Sequence, residues 1–244
     1  MLQSKRRGGA QGTAKRLVIL VHGYGADGGD LISLADSLGP HMPNTVFHAP
    51  DAPNTCSMNP MGYEWFPIPW IDGSSEETAR AGLARAAEMF DAWLTGTMTA
   101  ERVGPEATVL VGFSQGTMMS LHVGPRRADA LAGIVGFSGR LLAPERIDEV
   151  TTKPPVLLVH GDRDDVVPPQ SLPEAAQVLS KSGFEVHTHI SKGTGHGIAP
   201  DGLRLACGFM KDKLGITARD AAPPGQRPVP GRISEQKHRT PPAA

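Results

Sequence analysis

Uninterrupted apolar runs and segments of helical period alternate along most of the chain. Residues 16–21, 108–111, 132–137 and 156–160 are short and almost wholly apolar after their first residue, the pattern of strands buried on both faces. Residues 45–48 form a further short strand, and 184–190 alternate between apolar and polar in the manner of a half-exposed one. Between them, residues 31–38, 76–98, 172–181 and 199–214 carry helical spacing. The longest of these repeats Leu83, Ala87, Phe90 and Leu94 along one face, with Ser74 or Ser75 before it as a cap; Asp27 or Asp30 serves the first helix, and Gly183 ends the third. Strand–helix alternation of this kind predicts an α/β fold, a mostly parallel sheet with helices on both faces. No insertion between strands is long enough for a large cap domain, so residues 15–216 read as one domain.

The two ends differ in composition from this middle. Residues 1–14 are dominated by Gly, Ser, Gln and basic side chains and predict a mobile arm. Residues 217–244 hold Pro223, Pro224, Pro228, Pro230, Pro241 and Pro242 among basic residues, which predicts an extended, disordered tail. Over the whole chain 24 Lys and Arg stand against 25 Asp and Glu, so no basic surplus points to nucleic acid or an anionic membrane as a partner. Cys56 and Cys207 stand alone and make no disulfide framework. The apolar run 17–21 is too short for a secretory segment, and no run reaches the length needed for stable membrane insertion. A cytoplasmic protein is expected.

Chemistry concentrates where predicted strands end. Gly112-Phe113-Ser114-Gln115-Gly116 joins a strand to a helix, the G-x-S-x-G arrangement that lifts a serine hydroxyl clear of a sheet. The pattern is weak by itself. A second strand ends in His160-Gly161-Asp162-Arg163-Asp164-Asp165, where a carboxylate can accept the Nδ1 proton of a histidine and fix its tautomer. Asp162 and Asp165 suit turn formation, which leaves Asp164 for that role. A third strand is followed by Gly193-Thr194-Gly195-His196-Gly197. Ser114, Asp164 and His196 thus occur in the chain order of an α/β-hydrolase triad, and the ordered set is far more specific than any one motif. After the first strand, His22-Gly23-Tyr24-Gly25 offers backbone N–H groups for an oxyanion, with Tyr24 one donor and Gln115 the other. A phosphate-binding loop is the alternative for that turn, but neither G-x-x-x-x-G-K-[ST] nor a helix-opening G-x-G-x-x-G is present.

These motifs, with His48-Ala49-Pro50-Asp51-Ala52-Pro53, resemble the carboxylesterase and acyl-protein thioesterase family of small α/β-hydrolases over roughly residues 15–214. The resemblance implies Asp164 as the triad carboxylate, Tyr24 and Gln115 as oxyanion donors, and a homodimer as one assembly. Residues 62–70 match the family's tryptophan-bearing loop only loosely, and in relatives that loop borders the pocket.

Met61, Trp65, Phe66 and Trp70 belong to an apolar, Pro-rich stretch that either packs onto the core or lines a pocket. Leu141 is a further candidate for the pocket wall. His187 and His189 share one face of a predicted strand, yet no third ligand accompanies them, so no metal is expected and no cofactor is needed. The expected activity is hydrolysis of a small-molecule carboxylic ester through an acyl-serine. An acyl thioesterase or lysophospholipase acting on long chains is the alternative, and a non-catalytic binding protein on the same fold a remoter one.

Overall fold

The computed structural model describes residues 2–217 and 220. The tail expected over 217–244 lies outside the described residues, apart from Thr217 and Asp220. The strands are β1 (Ser4–Arg7), β2 (Arg16–Val21), β3 (Thr45–Pro50), β4 (Asn54–Thr55), β5 (Tyr63–Glu64), β6 (Thr108–Phe113), β7 (Gly133–Phe137), β8 (Val156–Gly161) and β9 (Val186–Ser191). The helices are α1 (Gly28–Ile32), α2 (Leu34–Leu38), α3 (Pro69–Asp72), α4 (Glu76–Glu101), α5 (Gln115–Val123), α6 (Ser171–Lys181) and α7 (Pro200–Lys213). Seven strands form one sheet in the order β1-β3-β2-β6-β7-β8-β9, and β4 pairs with β5 in a small hairpin. Every neighbouring pair in the large sheet is parallel except β1 with β3. This is the expected α/β-hydrolase architecture.

The apolar runs are uninterrupted because both sheet faces are covered. Along β2, Leu17, Ile19 and Val21 meet Phe90 and Leu94 of α4 and Met118 of α5. Val18 and Leu20 point the other way, to Leu31, Ala35 and Leu38 of α1 and α2 and Met210 of α7. Each fully buried side chain of this size contributes about 1.5–3 kcal/mol. Asp27 caps α1 by accepting the Asp30 N–H at 2.9 Å, and Ser75 caps α4 by accepting the Thr78 N–H at 3.1 Å. The single helix expected over residues 31–38 is split at Ser33, whose hydroxyl donates to the Asp30 carbonyl at 2.7 Å. Among the described residues no helix is long and apolar enough to cross a membrane.

The mobile arm expected over residues 1–14 is corrected by the structure. Within it Ser4–Arg7 pairs with β3, and Arg6 reaches the buried Glu101 at the end of α4, with Nε and Nη2 donating at 2.7 and 3.1 Å. His48 Nε2 and the Gly12 N–H meet the same carboxylate at 2.9 and 3.2 Å. A buried carboxylate without partners would be costly, and the arm supplies two of them. Burial pushes Glu101 up, but the hydrogen bonds from Arg6, His48 and Gly12 prevail and bring it from 4.5 down to about 2. Burial holds His48 below 6.5 despite Glu101. On α5, burial and the nearby Arg126 and Arg146 take His122 down to about 4.

These shifts fix a pH dependence. A histidine whose folded pKa is lowered is protonated more readily in the unfolded chain, so its contribution is complete above about 6.5 and lost as pH falls through the folded value. Glu101 contributes above 4.5 and loses that contribution as pH falls toward about 2. Thermal unfolding should therefore show Tm falling steadily from pH 7 to 4 and further below 4. A Tm that is flat or rises over that range would contradict the assignment.

Candidate active site

The parallel strands end at one edge of the sheet, where loops collect. β6 ends at Phe113, and Ser114 turns the chain into α5 with φ 53° and ψ −115°. Such a conformation costs a non-glycine residue about 1–3 kcal/mol and persists only when its surroundings enforce it. Here they do. The Ser114 N–H donates to the Phe137 carbonyl at 2.8 Å, and the Thr117 hydroxyl is shared between the carbonyls of Gly112 and Phe137 at 2.9 and 2.8 Å. A Cβ on Gly112 would run into the backbone of Gly116 and Thr117, and one on Gly116 into the Val21 carbonyl oxygen. Both flanking positions are glycine because the turn brings backbone onto backbone.

Asp164 lies three residues beyond β8 and is buried. Its Oδ1 accepts the N–H groups of Val166 and Val167 at 3.0 and 2.9 Å. His196 Nδ1 lies 2.8 Å from Oδ2 and 3.0 Å from Oδ1. Because a carboxylate only accepts, Nδ1 carries the proton, and in the neutral ring Nε2 is left as the base. Burial pushes Asp164 up, yet the hydrogen bonds from His196, Val167 and Val166 outweigh it and hold the carboxyl below the usual range. The His196 loop rests on the end of β8, where a Cβ on Gly161 would strike the carbonyls of Thr194 and Gly195. Asp162 ties the same loop down by accepting the Gly193 N–H at 2.6 Å, a more specific task than turn formation.

The loop after β2 lies against Ser114: a Cβ on Gly23 would be 3.2 Å from the Ser114 Cβ. His22 braces it. Its Nδ1 donates to the Gly23 carbonyl at 2.7 Å and its Nε2 accepts the Ala52 N–H at 2.9 Å, so the ring is neutral with one tautomer. Burial keeps its pKa below 6.5. Among the described residues, neither the Tyr24 nor the Gln115 N–H donates to a protein acceptor. The Gln115 side chain, by contrast, is fully engaged: Nε2 donates to the Phe66 carbonyl at 2.7 Å, and Oε1 accepts the Trp65 N–H at 2.9 Å.

Ser114, His196, Gly23 and Tyr24 border one cavity of about 380 Å³. Its wall is mostly apolar, with Ile68, Trp70, Met118, Val166, Val167 and Ile198 contributing. Of the residues expected in the wall, Trp70 is there and the others are not. Trp65 and Phe66 belong to the core, where Trp65 packs edge-on to Phe90 at 5.2 Å and donates from Nε1 to the His22 carbonyl at 3.0 Å. Met61 is 87% exposed on the turn before β5. Leu141 borders a separate recess beside α6. Apolar composition alone does not distinguish core from cavity. The missed wall residues do carry a positional signal: Val166 and Val167 follow Asp164, Ile198 follows His196, and Met118 lies one helical turn beyond Ser114.

His187 and His189 do not converge on a common point; their Nε2 atoms meet Glu185 and Asp201 at 2.8 and 2.7 Å. Among the described residues no group of three or more His, Cys, Asp or Glu could hold a metal ion.

Comparison with known proteins identifies the family and the fold. The phospholipase/carboxylesterase family profile matches residues 9–214. Acyl-protein thioesterase 1 of Gibberella zeae is 29% identical over 212 residues, covering 81% of this chain and 90% of that protein. Esterase YpfH of Escherichia coli (strain K12) is 26% identical over 216 residues, covering 88% and 90%. Among solved structures, esterase PE8 superposes with a TM-score of 0.82 at 45% identity, covering 87% of this chain and 99% of that one. The chain belongs to the phospholipase/carboxylesterase family.

Proposed function

We propose that the chain is a serine carboxylesterase. Ser114 Oγ attacks the ester carbonyl as His196 Nε2 takes its proton, and Asp164 keeps the imidazole in that tautomer and stabilises its cation. The Tyr24 and Gln115 N–H groups receive the developing oxyanion, each contributing about 3 kcal/mol. His196 protonates the departing alcohol, and water then releases the acid by the same route. The observation that carries the reading is the 2.8 Å contact of His196 with the buried Asp164, made where His196 and Ser114 border one apolar cavity.

The cavity volume, about 380 Å³, lies toward the small end for ligand sites and favours short or medium esters. A second reading, a thioesterase or lysophospholipase on long acyl chains, draws support from the acyl-protein thioesterase relatives and from Trp70 and Ile71, whose exposed apolar surface continues outward from the cavity. Action in the cytoplasm belongs to the same proposal, since Cys56 and Cys207 are free thiols of the kind a reducing compartment maintains.

Ser114→Ala should lower kcat on p-nitrophenyl butyrate by on the order of 10³–10⁶ with an unchanged circular dichroism spectrum. Asp164→Asn should lower it by about 10⁴, because the amide can hold the opposite tautomer of His196. Substantial turnover by the Ser114 variant would reject the nucleophile. Across a series of p-nitrophenyl esters, kcat/KM should peak at about four to eight acyl carbons and decline by about sixteen. A maximum at palmitoyl, or a preference for thioesters, would select the second reading.

A further inference from the structure

A second histidine stands behind the catalytic carboxylate. His160, the penultimate residue of β8, is 3% exposed, and its Nε2 is 3.1 Å from Asp164 Oδ2. The same nitrogen is 2.9 Å from the Val167 carbonyl oxygen. Both neighbours are acceptors, so Nε2 carries the proton; the hydrogen bond it makes is to the Val167 carbonyl, with Asp164 Oδ2 close beside it. The backbone N–H groups of Val166 and Val167 hold Oδ1, and no backbone group among the described residues reaches Oδ2, whose contacts are the two imidazoles. Remove the inner imidazole, and the Val167 carbonyl loses its donor, so the turn that holds Oδ1 is no longer tied to β8.

We infer that His160 is a positioning residue: by holding the Val167 carbonyl it fixes the turn whose Val166 and Val167 N–H groups grip Asp164, and so sets the triad carboxylate relative to the cavity wall that Val166 and Val167 form. This rests on the hydrolase reading given above. Substrate does not touch His160, which is absent from the cavity lining, so its loss should appear in turnover more than in binding.

The test compares three substitutions in the full chain with p-nitrophenyl butyrate as substrate. His160→Leu should lower kcat about 10- to 100-fold, the usual effect of losing a group that orients a functional ligand, with KM changed less than about threefold. A glutamine amide reaches about as far as imidazole Nε2 and an asparagine amide only as far as Nδ1. His160→Gln should therefore recover most of the lost kcat and His160→Asn should not. Equal activity of the Gln and Asn variants, an unchanged kcat in the Leu variant, or a loss confined to KM would overturn the role. On the unaltered chain, ¹⁵N spectra of histidine-labelled protein should show residue 160 protonated at Nε2 and protected from exchange. An Nδ1–H tautomer would overturn the inference without reliance on any variant. Failure of the wild-type chain to turn over any ester rejects the hydrolase reading, whereas wild-type turnover with an indifferent position 160 rejects only the positioning role.

Discussion

The structure depends on one backbone geometry, residue 114 held at positive φ where a strand becomes a helix. Serine does not choose that conformation, and the surroundings leave it no alternative. The strand end is registered against β7, the Ser114 N–H is committed to Phe137, and the first turn of α5 packs so closely that Gly112 and Gly116 admit no Cβ. Two consequences follow at once. The hydroxyl is presented at the edge of the sheet, and the next N–H, that of Gln115, is the first of a helix and has no intrahelical partner. On the proposed mechanism the same turn supplies both the nucleophile and one oxyanion donor.

Preorganisation at this edge is built from hydrogen bonds between loops distant in sequence. The Gln115 side chain grips the backbone of Trp65 and Phe66, Trp65 Nε1 holds the His22 carbonyl, and His22 in turn receives the Ala52 N–H. The loop after β2 and the elbow are therefore fastened to each other through the segment after β5. On the other side, Asp162 and Gly161 seat the His196 loop and Asp164 orients its ring. Apart from the exposed Asp162–Gly193 pair, these groups are buried or nearly so, where an unpaired polar atom is costly, and their mutual satisfaction makes the edge rigid.

Much of this was legible in the sequence because the decisive signals are local. An apolar run followed by G-x-S-x-G, a strand ending in His-Gly-x-x-Asp, and a histidine between glycines each carry their own geometric reason, and their chain order supplies the rest. What the sequence concealed depends on distant contacts. The basic residues of β1 read as a solvated arm because their partner, Glu101, is 95 positions from Arg6. The aromatic stretch around Trp65 offered the right composition for a pocket, but its backbone is drawn inward by Gln115 and its rings fill the core against Phe90. Part of the wall comes from short segments adjoining Ser114, Asp164 and His196, where a valine or isoleucine looks like any other core position. The break at Ser33 turns on one hydroxyl bonding back to Asp30, a competition that propensity does not resolve.

The central claim is that Ser114 attacks while the Tyr24 and Gln115 N–H groups hold the oxygen that becomes charged. The most direct measurement is a crystal structure of the chain after reaction with a fluorophosphonate, whose tetrahedral phosphorus mimics the intermediate. The account predicts phosphorus bonded to Ser114 Oγ and a phosphoryl oxygen within hydrogen-bonding distance of both N–H groups. A label on another residue, or a phosphoryl oxygen turned to solvent away from Tyr24 and Gln115, would contradict it.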